Sequence, residues 1–348
     1  MTANTKPGSS ALAEPPIQDQ GIARLDAFHH LSPTERYERG LAAGDRVPHS
    51  ALGLAGRPPA RQDPIAILER QAASRIPELV PVRYGRMVTS PFAFYRGAAA
   101  VMASDLAAGE SSGLTVQLCG DAHLSNFGVY RSPERQLVFD CNDFDETLPG
   151  PFEWDVKRLV TSVEIAGREN GLSTRECRAA VLGAATRYRE AMSSLARMGN
   201  LAVWYSDLGY LETLNAMSSR LKAGQRAKAR QAVARAQHED SLHAYKKLTT
   251  TIGGRRRIIS DPPLIVPIED LVSPEMAAAY LAGLQELVRR YTATLRSDVQ
   301  HLLTQFRPVD LARKVVGVGS VGTRAWIVLF LGPDDAEPLF LQVKEAQA

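Results

Sequence analysis

The sequence predicts an α+β protein of two lobes: a mainly helical large lobe holding a short β-hairpin region, and a small C-terminal β unit. Three observations predict it. The chain has 348 residues, more than the roughly 250–300 at which a single core stops growing. Apolar residues recur at helical spacing through most of the chain after residue 45. Residues 309–348 instead read as strand, glycine loop, strand, turn, strand.

Taken in order, residues 1–44 begin "MTANTKPGSSALAEPPIQDQG", polar and rich in proline, glycine and serine, and are expected to be a disordered tail. No basic n-region leads into an apolar h-region there, and no apolar run approaches the roughly 18 residues that span a bilayer. Residues 45–308 are expected to form the helical lobe. It opens with short helices such as "DPIAILERQAASRIPELV", broken by prolines, and "SPF" then turns into a helix carrying Ala99, Met102 and Leu106. "GLTVQLCGD" and "RQLVFDCNDFD" read as two strands flanking an acid-rich loop, and "DVKRLVTSVEIAGREN" as an amphipathic helix.

A long helical region is expected from 173 to 248, interrupted near "MGNLAVWYSD". Within it, "SRLKAGQRAKARQAVARAQHED" reads as a basic, solvated helix face. Arg255, Arg256 and Arg257 are expected in an exposed loop, followed by a helix from 273 to 304.

Composition narrows the function. The net charge is only +3, from 41 basic and 38 acidic residues, so neither nucleic acid nor a membrane is called for. Cys119, Cys141 and Cys177 are odd in number and lack C-x-x-C spacing, which reads as reduced thiols in a cytoplasmic protein and gives zinc no site.

The chemistry concentrates in "GDAHLSNFG" and "NDFDETLPGPFEWD". Asp121 and Asn126 stand five apart, the interval at which a kinase-type catalytic loop places its base and a magnesium ligand. Asp143, followed by Phe144, suits the metal bridging the β and γ phosphates, and Asp140 suits it less well. Gly317, Gly319 and Gly322 spell G-x-G-x-x-G, but the residues after them favour a strand instead of the helix that a dinucleotide fold requires. Between antiparallel strands such a loop acts as a nucleotide lid, and Lys344 on the third strand then reaches the α and β phosphates. Arg96 either clamps a phosphate or pairs with an acid.

"GDAHLSNFG" resembles the H-G-D-x-H-x-x-N loop of aminoglycoside phosphotransferases, with Cys119 where that motif begins with His. From about residue 45 to the end, "SPFAFYRG", "GDAHLSNFG", "NDFDETLPGPFEWDVKRL", "GVGSVGTR" and "LQVKEA" resemble the bacterial family known as domain of unknown function 2252, DUF2252. The resemblance implies a kinase-like, aminoglycoside-phosphotransferase-like two-lobe fold. Its glycine loop and lysine follow the catalytic loop instead of preceding it, in circularly permuted order. Asp121 would be the base and His123 would orient the loop. Asn126, Asp143 and Asp140 would hold Mg2+. Gly317, Gly319, Ser320, Gly322, Lys344 and Arg96 would hold ATP, and Asp155 would be structural.

The implied function is an ATP- and magnesium-dependent phosphotransferase whose partners are the nucleotide and a hydroxyl acceptor, either a small molecule or a protein. Family members continue beyond Lys344, where this chain ends four residues later. The helix whose glutamate would pair with Lys344 is then missing, so that the chain is a truncated product, or the ion pair is supplied elsewhere, or the site is inactive. Two alternatives stay open: a non-catalytic, pseudokinase-like nucleotide-binding module, and a two-metal hydrolase built on Asp121, His123 and Asp143.

Overall fold

The computed structural model describes residues 31–52, 61–206, 209, 223–238, 241–315, 317–333 and 337–345. The chain divides into two compact units, Met1–Gly53 and Leu54–Ala348. In the first, helix α1 (Pro33–Arg46) is followed by the single turn α2 (His49–Leu52). Helix α1 occupies the end of the segment expected to be disordered. Ser32 and Glu35 form a reciprocal capping box, and Pro33 at the first helical position fits the fixed φ of its ring. The rest of the expected tail, residues 1–30, lies outside the described residues.

The larger unit is mixed α+β with small sheets. It opens with α3 (Pro64–Ala72), α4 (Val80–Met87), α5 (Pro91–Gly97) and α6 (Ala99–Ala107). Asp63 and Ser90 cap α3 and α5. The "SPF" turn is therefore the start of a helix, and Ala98 breaks the run in two. Ile67, Leu68, Met87, Ala98 and Val101 pack into one buried cluster. Gly97 is required there, since a Cβ would lie 2.7 Å from Met87 Cγ.

Four short strands surround the acid-rich region: β1 (Thr115–Leu118), β2 (Phe127–Arg131), β3 (Leu137–Cys141) and β4 (Leu148–Pro151). The two expected strands do not pair with each other; β1 pairs antiparallel with β4, and β2 with β3. Strand β4 is "LPGP", whose prolines and glycine hide a strand from propensity. Helix α7 (Phe152–Glu169) follows directly and packs against α8 (Thr174–Leu195), with Cys177 sealed between them. The interruption near 200 holds a short helix, α9 (Asn200–Trp204), and the basic run continues as α10 (Ala223–His238) and α11 (Ser241–Leu248).

The three arginines do not form a loop. They lie on β6 (Arg255–Ile258), paired with β5 (Thr249–Ile252) across Gly253–Gly254, both at positive φ as a tight hairpin turn demands. Arg257 pairs with Asp310 and Glu269, and Arg256 stacks on Tyr245. The helix expected over 273–304 divides into α13 (Pro274–Ala293) and α14 (Ser297–Leu303), preceded by the single turn α12 (Ile268–Leu271).

The principal sheet has the order β10-β9-β8-β7, all antiparallel: β7 (Ile265–Pro267), β8 (Arg307–Lys314), β9 (Ala325–Leu331) and β10 (Pro338–Lys344). Strand β7 lies outside the boundary of 309–348, because three buried residues are too short to display a period of two. Strand β9 reads as a continuous apolar run because both its faces are covered. Ile327, Leu329 and Leu331 enter one core cluster with Ile258 and Leu248; Val328 and Phe330 enter another with Ala277 and Leu284 of α13. No helix of the described residues is long and apolar enough to cross a membrane.

Candidate functional site

The loop between β1 and β2 is anchored to α7. Asp155, in the first turn of that helix, accepts the amides of Cys119 (2.7 Å) and Gly120 (3.1 Å). Gly120 has φ +81, and a Cβ there would lie 2.0 Å from the Glu146 carbonyl oxygen, so only glycine lets the two segments cross. Beyond it, Asp121, His123 and Asn126 are buried. The Asn126 side-chain amide donates to the Asp121 carbonyl at 2.8 Å and closes the loop on itself.

Asp121 is held by Arg158, one turn along α7 from Asp155, with Nη2 2.6 Å and Nε 2.7 Å from Oδ1. Arg158 is fixed in turn: Nη2 donates to the Tyr95 carbonyl, and the guanidinium lies 4.1 Å above the Tyr95 ring. His123 Nδ1 accepts the Ser125 amide at 3.1 Å, so its neutral ring carries the proton on Nε2, which faces Asp121 Oδ2 at 3.5 Å. Burial lowers the His123 pKa, with Asp121 opposing and Arg158 and Arg96 adding to the fall.

The C-terminal strand meets the acidic loop. Lys344 Nζ donates to Asp145 Oδ2 at 2.5 Å and lies 3.7 Å from Asp143 Oδ1. Burial pulls the Lys344 pKa down, but the Asp145 hydrogen bond and the charges of Asp143, Asp145 and Glu146 outweigh it, leaving a net rise. Asn142 donates its amide to the Asn126 carbonyl at 3.0 Å, which sets Asp143 one residue beyond the Asp121 loop. Asp140 is exposed on β3, where its carboxylate accepts the amide of Cys141. Phe144 is exposed. Among the described residues no three His, Cys, Asp or Glu side chains gather as a metal-holding group. All three cysteines are free, and burial, Asp155 and Cys141 push the Cys119 thiol up to about 12.

The glycine loop joins β8 to β9 and rests on the early helices. Val318 packs into the α3–α6 cluster. The carbonyls of Gly317, Val321 and Gly322 accept from Arg86, Arg75 and the Ile76 amide. Gly317 and Gly322 have positive φ, and the Ser320 carbonyl accepts the Thr323 amide and hydroxyl, closing the turn. Gly319 passes close to Arg96: a Cβ would lie 3.3 Å from the Arg96 carbonyl.

Gly319, Arg96 and Asp121 border one cavity of about 240 Å³, with Glu146, Arg158, Arg75 and Arg83 also in its wall. Loss of hydration, with the charges of Asp121, Asp143 and Asp145, pushes the Glu146 carboxyl up to about 7, against the pull of Lys344. Glu146 as a whole residue is exposed to solvent.

The structure thus brings Asp121, His123 and Asn126 into one loop, Lys344 onto Asp143 and Asp145, and Gly319 beside Arg96. Asp140 makes no hydrogen bond or ion pair to these groups; its carboxylate accepts the Cys141 amide. The sequence alone assigns no role to Arg75, Arg83 or Arg158. Arg83 had a legible signal: with Leu79 and Met87 it forms a buried row at i, i+4, i+8, an arginine where the helix pattern asks for an apolar residue. Arg158 carried a similar one, lying with Ser162 on the buried face of α7.

A family model described as "Uncharacterized protein conserved in bacteria (DUF2252)" matches residues 75–348. No curated protein and no solved structure matches the chain.

Proposed function

The chain belongs to the DUF2252 family, and from that premise we propose that it is a kinase-like, ATP- and magnesium-dependent phosphotransferase acting on a hydroxyl acceptor. The observation that carries the reading is the approach of Lys344 to Asp143 and Asp145. It brings the lysine of the second strand after a glycine loop beside the carboxylates that follow a D-x-x-x-x-N loop, so that the phosphate-binding lysine and the magnesium-binding carboxylate required by phosphoryl transfer would lie in one site. In this reading the β7–β10 sheet with its glycine loop would serve as the nucleotide lobe and the helical body with Asp121 as the catalytic lobe, in permuted order.

In this reading the acceptor hydroxyl is oriented by Asp121 and passes its proton to that carboxylate. The hydroxyl oxygen bonds to the γ phosphorus, the bond from that phosphorus to the β–γ bridging oxygen breaks, and ADP leaves with the bond's electrons. Lys344 and the glycine loop hold the phosphates. Asn126 and Asp143 would hold Mg2+, which neutralises phosphate charge. His123, with its proton on Nε2, would steady Asp121 at Oδ2 while Arg158 holds Oδ1.

One observation favours a second reading, a nucleotide-binding module without catalysis. Arg158 holds Asp121 Oδ1 through two donors, at 2.6 and 2.7 Å, so that oxygen is already engaged and is not free to accept from a hydroxyl. A two-metal hydrolase has no ligand set among the described residues and no use for the glycine loop. Turnover of ATP labelled on the γ phosphate, with and without magnesium, separates the first two readings. Magnesium-dependent loss of label that stops in Asp121→Asn supports transfer, and tight binding with no loss supports the module.

A further inference from the structure

The cavity beside Asp121 holds more positive charge than the protein balances. Arg83 is 1% exposed and donates Nη2 only to neutral oxygens, the Gly97 carbonyl at 2.8 Å and Gln71 Oε1 at 3.1 Å. Its Nε and Nη1 are sealed from water without a hydrogen-bond partner, as are the Nε atoms of Arg75 and Arg96. Arg75 donates Nη1 to the Val321 carbonyl. Burial and the neighbouring charge of Arg75 push the Arg83 pKa down to about 10, the direction expected of a cation without a counter-ion. Of the charged groups in the wall, four are guanidinium groups and two are carboxylates, Asp121 and Glu146; with its pKa of about 7 Glu146 is only partly ionised at neutral pH, so at least two positive charges remain within the wall, Arg75 also feeling Glu345 from outside it. Arg158 is committed to Asp121, which leaves the surplus on Arg75, Arg83 and Arg96.

A buried charge without its partner is costly, and native proteins keep such groups where a ligand supplies the opposite charge. Arginine forks match phosphate oxygens, and a phosphate monoester carries nearly the two negative charges that are missing here. Apart from Gln71, the remaining wall side chains are apolar, among them Leu106, Leu118 and Trp154, and about 240 Å³ admits only a compact molecule.

We propose that this cavity binds a small phosphate monoester through Arg75, Arg83 and Arg96. On the phosphotransferase reading, on which this assignment of role rests, that ester is the acceptor, with its free hydroxyl directed at Asp121. The protein would then phosphorylate a molecule that already bears one phosphate.

Calorimetric titration of the full chain with inorganic phosphate tests the site, with acetate as the carboxylate arm and ATP with magnesium as a separate titration. Saturable phosphate binding is expected, weakened about tenfold or more in Arg83→Met by the loss of a charged donor. Arg83→Lys is expected to restore part of it, and ATP binding should be undiminished by phosphate. Should Arg83→Met not fold, Arg75→Met and Arg83→Lys carry the comparison. No phosphate binding, acetate binding as tightly as phosphate, or affinity unchanged in the arginine variants would each overturn the proposal. Competition between phosphate and ATP would also overturn it, by assigning the cavity to the nucleotide's own phosphates. Failure of ATP to bind while phosphate binds through these arginines would instead refute the phosphotransferase reading and leave the anion site standing.

Discussion

Lys344, on the last strand, donates to Asp145 across a sequence separation of 199 residues. The contact closes the sheet that carries the glycine loop onto the loop that follows Asp121. Both partners keep some solvent exposure, so the pair contributes only about 0–1 kcal/mol to stability. Lys344→Met should therefore leave the melting temperature nearly unchanged. It should weaken magnesium-dependent ATP binding about tenfold or more, through loss of a charge-assisted contact to phosphate. Calorimetry beside a thermal melt reads both.

Asp121 and Arg158 present the opposite balance, because both are buried. Asp121→Ala strands the guanidinium and should cost about 3–5 kcal/mol in urea unfolding. The double variant Asp121→Ala with Arg158→Met should recover much of that loss, since an apolar pair of similar volume removes the uncompensated charge. Additive losses in the two single variants would mean that the residues do not act as a pair.

Glu146 makes stability depend on pH. Its folded-state pKa of about 7 lies above the ordinary 4.5, so folding favours the protonated carboxyl. That contribution is complete below pH 4.5 and is lost as pH rises through 7. Relative to Glu146→Gln, the wild type should lose stability between these values and remain less stable above pH 7, with the difference vanishing in acid. Chemical denaturation of both proteins at a series of pH values measures this directly. A difference that does not change with pH would show that Glu146 titrates normally.

Gly120→Ala should destabilise the fold by about 2 kcal/mol or more, or abolish folding, because the methyl group meets the Glu146 carbonyl and φ is positive. Gly171→Ala at φ +74, with open space around its Cβ, should cost about 1–2 kcal/mol from backbone strain alone. The gap between the two in equilibrium unfolding isolates the steric contribution.

Much of this architecture is legible in the sequence where periodicity and spacing are long enough to register. The helix now seen as α7, the apolar β9 and the Asp121–Asn126 interval all announce themselves. Short elements do not: β4 is "LPGP", β7 is three residues, and the hairpin bearing the three arginines depends on a Gly-Gly turn read as loop. The site's acids were legible because carboxylates among Leu, Val and Phe lack a solvation reason. Arg83 in "PVRYGRM" carries its signal only as a row with Leu79 and Met87, and passes for an ordinary helical residue when read singly. Lys344 could be nominated from its position after the glycine loop, but its partner Asp145 depends on folding across the whole chain.

On the proposed reading, ATP binds through the glycine loop, Lys344 and Asp143. The most direct measurement is calorimetric titration of the wild-type chain with ATP, with and without magnesium, repeated on Asp143→Asn. Saturable binding that requires magnesium and falls at least about tenfold in Asp143→Asn is the predicted result; no saturable binding, or binding indifferent to both magnesium and Asp143, would contradict it.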